Sequence, residues 1–415
     1  MKILYLSQYF PPEMGAPSAR VHELSREWAR LGHQVTVLTG FPNHPTGVVP
    51  PEYRGELFRR ERIDGITVLR APIYAAANKG LLRRALNYFS YFAGASLVGP
   101  FAAEKPDVVI ATSPQFLTGL AGLWLSLLKQ APFVFEVRDL WPRSIVAVGA
   151  LRAGSLAVRA LEQLEQLLYA RADRIVVVSE PFVDEIAAHG VPREKIRVLT
   201  NGVDLELFAP RPRAQARREL GLPEQGFLVS YVGTHGLAHG LGTLIETARL
   251  LPEVAFLLVG EGAEKEMLRA RARGLANLTF WDQRSRAEVA RILAASDLSL
   301  VMLRNEPLFR TVLPSKLFEI MGAGRAIVST VDGEARKLVE EAGAGLFSPP
   351  EDADALARLL RELSADPARL TALGTSGRAF AEAHYSRPAL ARRYLALLEE
   401  LLPATTDPNQ GATLH

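Results

Sequence analysis

Residues Leu313–Gly324 read LPSKLFEIMGAG, and the fold follows from what flanks them. An apolar strand, Leu298–Met302, and an irregular loop lead in, while apolar Ala326–Val328 begins another strand. Between them Pro314 suits a first helical turn, Ser315 can cap free amides, and Gly322 and Gly324 stop the helix. Lys316 and the first-turn N–H groups then share the positive end of a helix at a strand–loop–helix corner. Such a corner takes an anion, and a nucleotide phosphate is the expected one. Glu319, one turn on, adds a carboxylate that can accept from hydroxyls, so the pair suggests a sugar nucleotide. An ordinary capped helix with a solvated Lys fits the same letters.

A chain of 415 residues is too long for one ordinary core, which predicts two domains. Its 48% hydrophobic content and net charge of +3, from 48 basic and 45 acidic residues, describe a soluble globular protein without a nucleic-acid partner. Cysteine is absent, which excludes disulfides, thiolate metal sites and Cys nucleophiles. Met1–Phe10 has one Lys and an apolar run that stops at Pro11-Pro12, a first strand rather than a secretory signal. The cytosol is the expected compartment, with peripheral attachment at its membrane face.

Ile3–Leu6 is a buried-type strand, and Ser7–Pro17 is a loop rich in Pro and Gly. Ser18 can cap a helix with Val21, Leu24, Trp28 and Leu31 on one face, after which Val35–Thr39 returns as a strand. This is one β-loop-α-β unit, with Gly15 where the backbone must approach a ligand closely. Gly40–Arg70 is turn-rich and long for a connection, the mark of a functional loop, and it carries His44. A solvated loop histidine is the plain alternative.

Ala85–Ala103 is uncharged, has Tyr88, Phe89 and Phe92 near its start, and follows Arg83 and Arg84. The length would suit a membrane span, but Asn87, Gly94, Gly99 and Pro100 weaken that reading. It is either a helix buried in the first domain or one whose aromatic, Arg-flanked end dips into an anionic leaflet. The second half reads as buried and the first half as interfacial. Arg138 and Asp139, in RDLWP, stand at the carboxyl end of strand Phe133–Val137, the edge where open α/β sheets bind ligands. A structural salt bridge competes for both.

Pro210–Gly226 reads as an interdomain link, and the second half restarts the rhythm with Leu228–Val232 and the loop GTHGLAHG, Gly233–Gly240. Alternating β and α units twice over predict two Rossmann-like, doubly wound α/β domains facing across a cleft. The first is expected over 1–205 and the second over 206–384. A helix at 385–402 packs back on the first domain, and the tail 403–415 is expected to be disordered. The one DxD spacing, Asp352-Ala353-Asp354, opens a late helix where acids serve as caps, so no metal site is expected.

PPEMGAPS, GHQVTVLT, RDLWP, TNGVDLELF, the Gly233–Gly240 loop and PSKLFE stand in the order seen in retaining GT-B glycosyltransferases of family four. The chain resembles that family over Met1–Leu402. FPNHPTG, VIATSPQFLTGLAG, FEVRDLWPRS and PSKLFEIMGAG look closest to one bacterial branch. Its members add amino-deoxysugars to lipid-linked O-antigen, capsule or exopolysaccharide intermediates, the L-fucosamine transferases among them. The resemblance implies a UDP-sugar donor, a polyprenyl-diphosphate-linked saccharide acceptor and no cofactor.

On the donor side the resemblance implies Gly15, Gly233, Thr234, His239, Gly240, Pro314, Ser315, Lys316, Leu317 and Glu319. Glu319 matches the second Glu of an E-x7-E element, expected on the ribose, while Thr311 replaces the first. Thr234 and His239 stand where the family has Arg and Lys, which leaves more of the pyrophosphate charge to Lys316. Arg138 matches the family's catalytic-region His and has Asp139 beside it. With Gly15 and His44 these two make the acceptor side, and Asp139, Arg138, Lys316 and Glu319 the catalytic set. Arg83, Arg84, Tyr88, Phe89 and Phe92 are the expected membrane contacts. A UDP-sugar 2-epimerase of the same plan and a non-catalytic sugar-nucleotide-binding protein are the alternatives. Neither half has the GxGxxG of a hydride-transfer enzyme.

Overall fold

The computed structural model describes residues 1–44, 46–76, 81–113, 115–147 and 149–402, so the expected tail at 403–415 lies outside them. Eight strands make the first sheet: β1 (Lys2–Leu6), β2 (Gln34–Gly40), β3 (Arg59–Ile63), β4 (Ile66–Ala71), β5 (Val108–Thr112), β6 (Phe133–Val137), β7 (Arg174–Val177) and β8 (Ile196–Val198). Their order is β3-β4-β2-β1-β5-β6-β7-β8, and only β3 runs antiparallel to its neighbour. β5 and β6 are buried along their whole length, as parallel strands covered on both faces must be.

The second sheet holds β9 (Leu228–Val232), β10 (Ala255–Val259), β11 (Leu278–Trp281), β12 (Leu298–Val301), β13 (Ala326–Ser329) and β14 (Gly345–Phe347). All are parallel, in the order β11-β10-β9-β12-β13-β14. Strand order reverses between β1 and β5 in one sheet and between β9 and β12 in the other. Ligand crevices of doubly wound sheets open at such switch points.

Several local expectations are corrected. Gly40–Arg70 ends in a hairpin, β3–β4, turned by Asp64 and Gly65 at φ 49° and 82°. A two-residue turn with both residues at positive φ fits the right-handed twist of a hairpin. β3, RRERI, is polar on both faces and so carries no alternation to read. The supposed link Pro210–Gly226 contains the helix Arg213–Glu219, whose buried Arg217 pairs with Asp297 at 2.7 Å. Ser18 is no cap: its helix, Ala16–Arg30, starts at Gly15 and buries Ser18 in the first turn. Ser315 makes no capping bond either, whereas Asp352 caps Ala353–Ser364 by accepting from the Ala355 amide at 2.8 Å.

The long helix Leu81–Ala102 packs on Leu117–Lys129 through small residues. A Cβ on Gly99 would fall 2.7 Å from Leu125 Cδ1 of that helix, and one on Gly94 2.3 Å from the carbonyl oxygen of Pro72, which follows β4. Tyr91 and Ala95 are buried, yet Phe89, Leu97 and Phe101 are 60%, 71% and 92% exposed. Both halves of the helix therefore have one inward and one outward face, not the expected division into interfacial and buried halves. Among the described residues no helix is long and apolar enough to cross a membrane.

The helix Arg387–Glu399 returns to the first domain, where the Trp28 indole donates to the Ala391 carbonyl at 3.0 Å. Tyr394 stands edge-on to Trp28, ring centroids 5.4 Å apart. The crossover runs past Gly202, where a Cβ would sit 2.3 Å from Leu390 Cδ1 and 2.6 Å from the Tyr385 carbonyl oxygen. Gly202→Ala is therefore expected to cost about 1–3 kcal/mol through overpacking. A thermal unfolding scan checks it: an unchanged midpoint would mean the crossover tolerates the extra methyl.

Candidate active site

At the end of β9, Gly233 adopts φ 152° and leaves room for Lys316, the first residue of the helix Lys316–Gly322. The Lys316 ammonium lies 3.9 Å from the centroid of the Tyr231 ring, and a Cβ on Gly233 would come within 2.4 Å of it. Nζ is buried and has no hydrogen-bond partner among the described residues. Burial pushes its pKa down to about 7, with Glu319 opposing. The ring face offsets part of that cost. The Tyr231 hydroxyl donates to the Thr234 carbonyl at 2.9 Å, which holds the ring in place.

The rest of the Gly233–Gly240 loop carries no permanent cation. Burial lowers His239 to about 3 and His235 to about 4, and the Lys316 charge adds to both shifts. Both imidazoles are thus neutral near pH 7, and His235 is fully buried with neither ring nitrogen paired among the described residues. Gly240, at φ 61°, closes the turn beside Arg304. Pro314 and Ser315 lead into the Lys316 helix. The Leu317 side chain is in the core, and its amide already donates to the Pro314 carbonyl at 3.0 Å, so Leu317 offers no free donor.

Glu319 is not a solitary hydroxyl acceptor. It accepts from Arg286 at 3.0 Å, and Arg286 also binds Glu23, which takes Arg387 at 2.6 Å on its other oxygen. Burial raises the Glu319 pKa, with Arg286 opposing. Glu23 belongs to the helix Ala16–Arg30, so the network ties the first domain to the second. Ser179 makes another crossing, donating to the Thr311 carbonyl at 2.9 Å. The Thr311 hydroxyl turns into its own 3-10 turn, onto the Leu308 carbonyl at 2.7 Å.

On the first-domain side Gly15, at φ 127°, starts its helix beside Arg138, whose Nη2 donates to the Ala16 carbonyl at 3.3 Å. Arg138 Nε and Nη1 are buried and unpartnered among the described residues. Burial, then the nearby Arg20 charge, pushes the guanidinium down to about 10. The alternative, a structural salt bridge, is not formed by Arg138 or Asp139 among the described residues: the nearby Glu136 pairs with Arg20 at 2.8 Å and accepts from Tyr5 at 2.7 Å. Asp139 has its pKa raised by burial, and Ser113 Oγ accepts from the Arg138 and Asp139 amides at 2.7 and 3.3 Å.

His44 is not a solvated loop residue. It packs against Tyr9 at 5.1 Å, and burial, reinforced by Arg84, lowers it to about 4. Arg84 and Tyr88 also turn inward: Arg84 lies over Tyr88 at 5.9 Å, and Tyr88 meets Trp141 at 6.3 Å. Of the expected membrane contacts only Arg83 and Phe89 are at the surface, and Phe92 lines a groove. Tyr231, Arg286 and Glu23 were not legible as site residues. A tyrosine inside a strand reads as core, and charges on two amphipathic helices read as surface.

The chain matches two glycosyltransferase families in sequence. Residues 15–202 match the glycosyl transferase 4-like domain, and 212–380 match glycosyl transferases group 1. The chain is therefore a glycosyltransferase of the GT-B fold, and the epimerase and non-catalytic readings fall away. Among its relatives is WcaI of Escherichia coli, named as a colanic acid biosynthesis glycosyl transferase. It is 27% identical over 411 residues, 95% of this chain and 99% of the relative. WbjE of Pseudomonas aeruginosa, named as a glycosyltransferase, is 29% identical over 314 residues, 72% and 76% of the two chains.

Solved structures that share the fold include a sucrose-phosphate synthase and a UDP-glucose complex. The sucrose-phosphate synthase of Thermosynechococcus elongatus superposes with a TM-score of 0.75 at 20% identity, covering 96% of this chain and 98% of that one. HepE of Anabaena, in complex with UDP-glucose, gives 0.72 at 19% identity, covering 97% and 100%.

Replacing Arg286 by Ala leaves two carboxylates short of a partner, at a cost of about 1–3 kcal/mol. Urea unfolding should show the loss in Arg286→Ala and not in Arg358→Ala, an exposed arginine of the same domain. Equal stability of the two variants would show that the network contributes nothing.

Proposed function

We propose that the chain moves a sugar from a UDP-sugar to a polyprenyl-diphosphate-linked saccharide during the synthesis of a cell-surface polysaccharide. The sugar is an N-acetylated amino-deoxyhexose of the L-fucosamine kind. The observation that carries the reading is the ammonium of Lys316, buried and unpartnered among the described residues, at the switch point of the second sheet. A donor diphosphate supplies the missing anion. The name of WcaI and the UDP-glucose bound to HepE support the polysaccharide and the nucleotide.

Glycosyl transfer breaks the bond between the anomeric carbon and a diphosphate oxygen while the acceptor hydroxyl oxygen bonds to that carbon. Negative charge grows on the departing diphosphate, and donors already aimed at it are the main catalytic asset. Lys316 and the Gly233–Gly240 backbone take that role without a metal, and Glu319 holds the ribose from within its pairing with Arg286. Arg138 and Asp139 position the reacting sugar or the acceptor hydroxyl from the facing domain.

Attachment to the membrane is part of the same reading, because a polyprenyl acceptor is confined to it. The surface for it is the outward face of Leu81–Ala102 together with the neighbouring helix. Exposed Leu97, Trp124 and Leu127 line an apolar groove of about 430 Å³, Phe101 is exposed one turn beyond Leu97, and Arg83 lies near the helix start. Apolar area plus basic charge is what holds a peripheral protein on an anionic leaflet.

Ligand-detected NMR with UDP, GDP and ADP tests the donor. UDP should bind, and Lys316→Met should lower its affinity about ten- to a hundred-fold, the worth of a hydrogen bond to a charged group. In the free protein Lys316 loses its proton near pH 7, whereas a bound diphosphate keeps it charged. UDP affinity should therefore hold below pH 7 and fall up to about tenfold per unit above it. Lys316→Arg should flatten that decline, and binding by no nucleotide would end the reading. Flotation on vesicles with anionic lipid should fall sharply for the double variant Leu97→Glu, Phe101→Glu. Unchanged flotation would move the membrane contact elsewhere.

A further inference from the structure

Glu13 is buried to 7% exposure in the loop after β1, among polar side chains that the transfer reaction as described does not use. Its Oε1 accepts from the amides of Asn43 and His44 at 2.8 and 2.9 Å. Its Oε2 is buried with no partner among the described residues. Gln8 is in the same position at 3% exposure. Asn87 donates to Asn43 Oδ1 at 3.1 Å and to the Tyr74 carbonyl at 2.7 Å, so its own Oδ1 must accept, and Gln8 must present Nε2 to it, at 2.6 Å. That orientation leaves Gln8 Oε1 as a second acceptor without a donor.

A buried acceptor with no donor is costly, and native proteins keep one where a ligand supplies the donor. These two belong to one chain of hydrogen bonds, Gln8–Asn87–Asn43–Glu13, at the carboxyl ends of β1 and β2. That is the sheet edge that also carries Gly15, Arg138 and Asp139. The Tyr9 and His44 rings stand beside this chain, and Arg84, whose Nε is buried and unpartnered among the described residues, adds a cation nearby. Acceptor oxygens, aromatic faces and one cation complement a saccharide whose hydroxyls are donors and whose linkage is a phosphate.

We propose that Glu13 is a positioning residue of the acceptor site, its free oxygen and that of Gln8 taking hydrogen bonds from hydroxyls of the acceptor saccharide. The inference rests on the glycosyltransferase reading and adds to it the group that selects the acceptor. Burial also lifts the Glu13 carboxyl to about 7, with the Asn43, His44 and Phe10 amides opposing, so its free oxygen is an acceptor in the ionised form that prevails above that pH. The alternative is that Glu13 only fastens the loop at Asn43 and His44.

Glu13→Gln separates the two, because glutamine keeps an oxygen for the two amides and turns the free acceptor into a donor. The probe is decyl-diphosphate-linked N-acetylglucosamine, its binding read by saturation-transfer NMR beside UDP. The expected result is a tenfold or greater loss of affinity for the probe, with UDP affinity within twofold of the parent protein and an unchanged unfolding midpoint. Gln8→Met should give the same split and stands in if Glu13→Gln does not fold. The proposal is overturned if the variants bind the probe as the parent does, if the parent does not bind it, or if probe and UDP affinity fall together. Failure of the parent to bind UDP would strike the donor reading alone.

Discussion

One carboxylate, that of Glu23, accepts two guanidinium groups that come from far along the chain. Arg286 belongs to the second domain, and Arg387 to the helix that returns to the first. Three segments meet at one buried charge, and the fourth member of the set, Glu319, sits in the same helix as Lys316. The donor corner is therefore registered against the first domain by an ionic network. A buried pair of this kind contributes little net stability, since desolvation cancels much of the attraction. What it can supply is specificity of arrangement, because any other docking of the domains strands a charge.

The donor corner has an opposite economy of charge. Its loop carries threonine and two neutral imidazoles, so in the proposed reaction one ammonium is the side-chain cation that joins the loop backbone against a diphosphate. The protein keeps that ammonium dry, over an aromatic face, and leaves it without an ion pair among the described residues. Gly233 is the permissive element: a methyl group there would collide with the ammonium, so the absence of a side chain sets the position of the charge.

The alternation of strands and helices was legible because parallel strands buried on both faces read as unbroken apolar runs, as at Val108–Thr112. The helix after Leu313 and its lysine were legible for the same reason, being flanked by two such runs. The strand Arg59–Ile63 was not, since an edge strand with polar faces has no period, although Asp64-Gly65 carried the hairpin signal. Ser18 and Ser315 show that a capping residue type does not guarantee a cap; backbone entry angle decides it. Arg84 and Tyr88 misled because an aromatic, basic helix start suits a lipid surface and a polar pocket equally well. Glu23, Arg286 and Glu13 act through partners distant in sequence, so no local pattern marks them.

The returning helix also bears on how the protein is made. Trp28 finds its hydrogen-bond partner 363 residues later, and the core of the first domain is closed by Tyr394 and its neighbours. Domains commonly fold in order as they leave the ribosome. Here the first domain must wait, with an open apolar face, until the helix Arg387–Glu399 has been synthesised after the whole second domain. The second domain, whose sheet is assembled from contiguous sequence, can be complete before the first one is sealed.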